Sequence, residues 1–180
     1  VSPELERLVR VLPMPSAPHA APDFDQAEAT LQMVLPADYK ELIEVYGGGF
    51  IDGYLRLLEP ACSNRVYDLV KIAAEREDAN EGLWEYGDRP PEMEIEGNRL
   101  VSWGATDNGE YLFWLVAPGD EPDSRPILIN GASDEDWERY DLTVTGFLAA
   151  VLSGEIHSEL LSSNFPLPVN EFRTAHEMAH

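Results

Sequence analysis

The stretch from Arg99 to Val116, RLVSWGATDNGEYLFWLV, constrains the fold more than any other part of the chain. Two runs rich in Val, Trp, Tyr and Phe flank Asp107-Asn108-Gly109, and an Asn-Gly pair tolerates the positive φ of a tight hairpin turn. A strand with water on one face alternates apolar and polar residues. The run Tyr111-Leu112-Phe113-Trp114-Leu115-Val116 does not, because both of its faces are apolar. Such a strand belongs in the middle of a sheet covered on both sides.

The rest of the chain supplies the cover. Ser2-Pro3-Glu4 is a helix entry, with a capping hydroxyl, proline at the first helical position and then an acid. Leu5, Leu8, Val9 and Leu12 follow on one face of a short amphipathic helix. The segment 13–22, PMPSAPHAAP, breaks it with four prolines and reads as a linker. A second helix is expected from Asp23 or Asp25 to about Met33. After Leu35-Pro36 a third occupies 37–46 with Tyr39, Leu42, Ile43 and Tyr46 inward, and Gly47 to Gly49 end it. FIDGYLRLLEP (50–60) reads as one strand, 66–83 as a helix with Leu69, Val70, Ile72 and Ala73 near its buried side, and 125–130 as a further strand. LTVTGFLAAVLSGE (142–155) reads as a last core helix with Gly154 past its end. Helices at both ends with hairpin-linked strands between them predict an α+β single domain. Its central, mostly antiparallel sheet is packed by N-terminal helices, a middle helix and a C-terminal helix.

Composition narrows the function classes. A chain of 180 residues with 44% apolar and 26% charged residues suits one soluble domain. Its longest apolar run, Tyr111 to Pro118, is too short to cross a bilayer. Glu4 and Glu6 stand where a signal peptide needs positive charge. Cys62 is the only cysteine, which excludes an internal disulfide and suits a reducing cytoplasm. Thirty-four acids against twelve bases give a formal charge of −22. Nucleic acid and anionic lipid both need Lys and Arg for neutralisation, so neither is an expected partner. Basic proteins are attracted instead.

Motifs that resemble catalytic signatures fail on context. His176-Glu177-Met178-Ala179-His180 satisfies H-E-x-x-H, in which two His on one helix face hold zinc and the Glu activates water. A catalytic zinc needs a third ligand downstream of the second His, and His180 is the last residue given. A zinc hydrolase is therefore only a remote alternative. Gly47-Gly48-Gly49 follows a helix and precedes a strand, the reverse of a phosphate loop. GASDE (131–135) lacks the last glycine of a nucleophile elbow. Asp134-Glu135-Asp136 opens like a calcium loop, but Arg139 and Thr145 occupy the positions that need Gly and Glu. No cofactor, no metal and no catalytic residue are expected.

The acidic runs carry the functional expectation. Residues 75–96 hold nine acids and two bases, interleaved with Trp84 and Tyr86. Aromatic anchors in a field of like charge suit a protein interface, where the rings desolvate and the charge steers. The expected contact residues are Asp78, Glu81, Trp84, Glu85, Tyr86, Glu92 and Glu94. SDEDWERYD (133–141) repeats the combination, with Trp137 and Tyr140 read chiefly as core pegs.

Three segments in order resemble the SUKH superfamily, or Smi–Knr family. They are LPADYKELIEVYGGGF (35–50), SWGATDNGEYLFW (102–114) and WERYDLTVTGFLAAVLSGEI (137–156). The resemblance covers about residues 27–156 and leaves the linker 13–22 and the extension 158–180 outside. It implies an α+β fold in which Gly47, Gly48, Gly104, Gly109 and Trp114 are fold determinants. It also implies a non-catalytic, cytoplasmic bacterial protein of the immunity type. Such proteins bind and neutralise a toxin domain, here a basic nuclease domain met through the acidic surface. The alternative within the same fold is a scaffold or regulatory interaction module with no toxin partner.

Overall fold

A computed structural model describes residues 1–178 except Pro18 and Asp134. Helices α1 (Pro3–Val11), α2 (Phe24–Leu31) and α3 (Ala37–Tyr46) precede the short strands β1 (Gly49–Ile51) and β2 (Leu55–Leu57). Helix α4 (Leu69–Trp84) leads to β3 (Arg99–Thr106), β4 (Tyr111–Val116), β5 (Ile127–Asn130) and β6 (Trp137–Tyr140). Helix α5 (Val144–Leu152) and β7 (Phe172–Thr174) follow. The strands form one sheet in the order β6-β5-β4-β3-β2-β1-β7, with every neighbouring pair antiparallel. The architecture is the expected α+β domain.

The β3–β4 hairpin turns at Asp107–Gly109, where Gly109 alone takes a positive φ, +94°. β4 lies between β3 and β5, and both of its faces are buried. Its Leu112, Trp114 and Val116 join the larger apolar cluster with Val101, Trp103, Ile127 and Ile129. Helices α1, α3 and α5 seal that side. Helix α5 is buried along its whole length, as a helix apolar all round must be, and the apolar stripe of α1 packs on it. Ser2 Oγ accepts from Leu5 N–H, the cap expected from the sequence, whereas α5 starts two residues later than expected, with Thr143 Oγ1 accepting from Gly146 N–H as its cap. Tyr39 crosses the sealed interior, its ring edge-on to Trp114 at 5.0 Å and its hydroxyl donating to the Leu58 carbonyl. The opposite face carries a smaller cluster, Leu100, Phe113, Leu115 and Leu128, under Trp84, Met93, Tyr111 and Trp137.

Two regions differ from the sequence expectation. Residues 50–60 are a hairpin rather than one strand, because Asp52 and Gly53 both adopt positive φ and turn the chain between β1 and β2. Residues 158–178 do not trail away from the core. The buried Asp52 carboxylate accepts the backbone N–H groups of Leu167 and Glu171, and the Tyr54 hydroxyl accepts that of Ser162. These bonds deliver β7 to the free edge of β1. Gly49 makes room for it: a Cβ there would lie 2.4 Å from the Arg173 carbonyl oxygen and from the Phe172 ring.

Candidate functional site

The smaller cluster is roofed by one helix end and two turns, and the roof leaves a cleft. Helix α4 runs from its Asp68 cap to Trp84, and its last turns carry the acidic sequence. Asp78, Glu81 and Glu85 point to solvent, while Asn80 between them is only 2% exposed. The β5–β6 turn forms the facing wall, closed by hydrogen bonds from Gly131 N–H and Asn130 Nδ2 to the Asp136 carbonyl. Between these walls lies a cleft of about 650 Å³, lined by Asn80, Leu83, Trp84, Tyr86, Asp88, Asn130, Ser133 and Glu135 among others.

From Trp84, which lines the cleft, a row of aromatic rings runs across this face of the sheet. Trp84 stands 6.4 Å from Trp137, which stands 5.9 Å from Phe113, and Tyr111 stacks on Phe113 at 6.2 Å. The Arg76 guanidinium lies 4.5 Å over the Tyr111 ring, and its Nε donates to Asn80 Oδ1 at 3.1 Å. That leaves Asn80 Nδ2 buried without a hydrogen-bond partner among the described residues, and Trp137 Nε1 in the same condition. Buried donors are almost always satisfied; Trp103 Nε1, on the other side of the sheet, is a further exception among the described residues. At the rim the Tyr86 side chain is 92% exposed, beyond what packing or solubility asks of a large aromatic.

The electrostatics of the rim follow from which acids already have partners. Arg89 holds Glu94 through two hydrogen bonds of 3.1 and 3.0 Å, and this pairing keeps the Glu94 carboxyl below its usual range. Arg139 pairs with Glu92 at 3.4 Å and Asp141 at 3.2 Å, and Arg99 forks onto Glu77. The side chains of Asp78, Glu81 and Glu85 have no hydrogen bond or ion pair among the described residues. The cations of this face are thus consumed internally and unneutralised acid remains beside Trp84 and Tyr86.

Of the seven residues singled out in the sequence, Glu81, Trp84, Glu85 and Tyr86 gather at the end of α4, with Asp78 further back along the helix. Glu92 and Glu94 sit on a 3₁₀ turn, Pro91–Glu94, each occupied by an arginine. Asn80, Asn130, Ser133 and Glu135 were not foreseen as lining the cleft. The recurrence of the acid-plus-aromatic pattern at 133–141 was the signal for the second wall. Trp137 acts as a peg, half-buried on Phe113. At Cys62 burial, with the Glu59 carboxylate adding to it, pushes the thiol up to about 11. Residues 175–178 form turns rather than the helix that H-E-x-x-H requires, and His180 lies outside the described residues, as does Asp134 of the rejected calcium loop.

Compared with known proteins, the chain matches the SUKH_6 family model, described as SMI1-KNR4 cell-wall, over residues 22–148. No curated protein and no solved structure matches it. The matched span runs from the start of α2 into α5 and holds every residue that lines the cleft. The chain belongs to this family.

Proposed function

As the chain is a member of the SUKH, SMI1-KNR4 family, we propose that it is a protein-binding module of the immunity type. In this reading it occludes a basic toxin domain, of the nuclease class, through the acidic cleft at the end of α4. One observation carries the proposal: a nearly fully exposed Tyr86 shares a cleft with Trp84, in a rim whose remaining charge is negative. A nuclease active site must be basic to hold phosphate, so an acidic protein competes for the same cations. Long-range attraction brings the partners together and the buried rings then hold them. The protein acts by binding and not by catalysis, in the cytoplasm where a delivered toxin would meet its target. Among the described residues no helix is long and apolar enough to cross a membrane.

The test is capture of the partner from the organism's own lysate in low salt, elution in a salt gradient, and repetition with the double variant Glu81→Lys, Glu85→Lys. A basic, toxic polypeptide that elutes early from wild type and is not retained by the variant is the expected result. Retention by the variant with an unchanged salt profile rejects this surface. Recovery of housekeeping proteins alone moves the function to the scaffold or regulatory alternative.

A further inference from the structure

Three metal-ligating side chains from distant parts of the chain meet at the β1 edge of the sheet, away from the acidic cleft. Glu59 follows β2, Cys62 lies in the turn after it, and His176 stands in the turn after β7. One donor atom of each lies within 4.8 Å of the other two. Glu59 and Cys62 are 4% and 5% exposed, whereas His176 reaches in from the surface to place Nε2 3.1 Å from Glu59 Oε2. Donor atoms around tetrahedral zinc, with bonds of ~2.0–2.3 Å, stand about 3.3–3.8 Å apart, so closing this triangle takes shifts of roughly an ångström.

The backbone already aims the set. Glu59 N–H donates to the Tyr67 carbonyl, its carbonyl accepts from Leu69 N–H at 2.9 Å, and its Oε1 accepts from Gly48 N–H at 3.2 Å. A carboxylate so buried calls for positive charge beside it, and a half-exposed imidazole, which is charged only when protonated, is its one ion-pair partner among the described residues. A fourth donor, His19, stands outside this triangle, near Gly47. A Cβ added there would sit 3.2 Å from Glu59 Oε1 and 3.3 Å from His19 Nε2. His19 and His176 both line a cleft of about 190 Å³, and His19 Nε2 now rests on the Ile43 carbonyl at 2.9 Å.

We propose that Glu59, Cys62, His176 and His19 bind one zinc ion that staples the C-terminal segment to the sheet. One sulfur, one carboxylate oxygen and two imidazole nitrogens suit zinc, and disfavour calcium and magnesium, which take oxygen. Binding moves the thiol proton of Cys62 to solvent and leaves a thiolate on the metal. With four protein ligands the site is closed, so its role is structural and not hydrolytic. The binding free energy becomes folding free energy for the β1–β7 edge. Glu59 and Cys62 lie within the family-matched span and His19 and His176 outside it, so the staple joins the shared core to its flanks.

The experiment uses the full chain, stripped of metal by a chelator and titrated with Zn²⁺ against a chromophoric competitor, with Co²⁺ in parallel. One equivalent of zinc bound with sub-micromolar affinity and a thiolate-to-cobalt charge-transfer band are expected. Cys62→Ser removes the band. His176→Ala, at a side chain 44% exposed, and His19→Ala each weaken zinc at least about tenfold, the loss that even a supporting partner's removal causes. His180→Ala leaves it unchanged. No binding at one equivalent, or binding that survives both Cys62→Ser and His176→Ala, overturns the site. Loss on His180→Ala with no effect of His19→Ala overturns the closed four-ligand set.

Discussion

The two faces of β4 are both apolar and both buried, yet they are covered in different ways. Leu112, Trp114 and Val116 meet three helices, one of them buried throughout. Phe113 and Leu115 meet the end of one helix, a 3₁₀ turn and half-buried Trp137. The first cover is closed, although it too buries a donor without a partner among the described residues, Trp103 Nε1. The second leaves a cleft, an exposed Tyr86 and two buried donors without partners among the described residues. Stability is expected to reside in the first face, and the second is the one we propose for recognition.

The comparison breaks or sharpens under substitution. The largest effect belongs to Trp114→Ala, which deletes a side chain 1% exposed and edge-on to Tyr39. A loss of about 3–5 kcal/mol is expected in urea unfolding. A loss below about 1 kcal/mol would mean that the sealed face is not where stability lies.

Next comes the rim of the sealed face, where buried Arg125 binds Asp120 through two hydrogen bonds and donates to the Val34 carbonyl. Burial pushes the Asp120 carboxyl up, but Arg125 and the Ala117 N–H outweigh it and the net shift is downward. A lowered folded pKa means that the pair's contribution is complete above the unfolded value of about 3.9. It is lost as pH falls through the lowered folded value. Asp120→Asn strands a buried guanidinium and is expected to cost about 3 kcal/mol at pH 7. The gap from wild type should shrink as the pH is lowered below 4; a gap constant with pH would show that the ion pair is not its origin.

Trp137→Ala, on the open face, is expected to cost less, about 1–2 kcal/mol, because the side chain is only half-buried. If it equals Trp114→Ala in the same assay, the two faces do not differ as argued. The smallest effect on stability is at the rim: Tyr86→Ala should stay within about 0.5 kcal/mol of wild type. Partner affinity, measured by calorimetry, should nevertheless fall about thirtyfold, the loss of one hot-spot anchor. Unchanged affinity would take Tyr86 out of the interface.

Much of the sealed face was legible in the sequence, because its signals are local. The run 111–116, the Ser2 cap, the helix 37–46 with its inward tyrosines and 144–152, apolar but for Thr145, each declare burial within a few residues. The open face was half legible. The acids and aromatics of 75–96 showed a surface of a certain character, but not that Arg89 and Arg139 occupy Glu94 and Glu92. Pairing depends on which side chains meet in space, and no spacing rule reports it. Asn80 was invisible for the same reason, since a buried amide on a helix looks like any other until its neighbours are known.

By itself, then, the sequence determined the class of fold, the doubly covered strand, the caps and turns, and the sign of the surface. These follow from backbone preferences and from periodicity within one element. Only the tertiary structure decided that 50–60 is two strands, that a three-residue strand at 172–174 completes the sheet edge, and that Glu59, Cys62 and His176 meet. Three-residue strands are too short for a period to register. A side-chain cluster drawn from opposite ends of the chain exists only once the edge strand has been added, because that addition is what brings its members together.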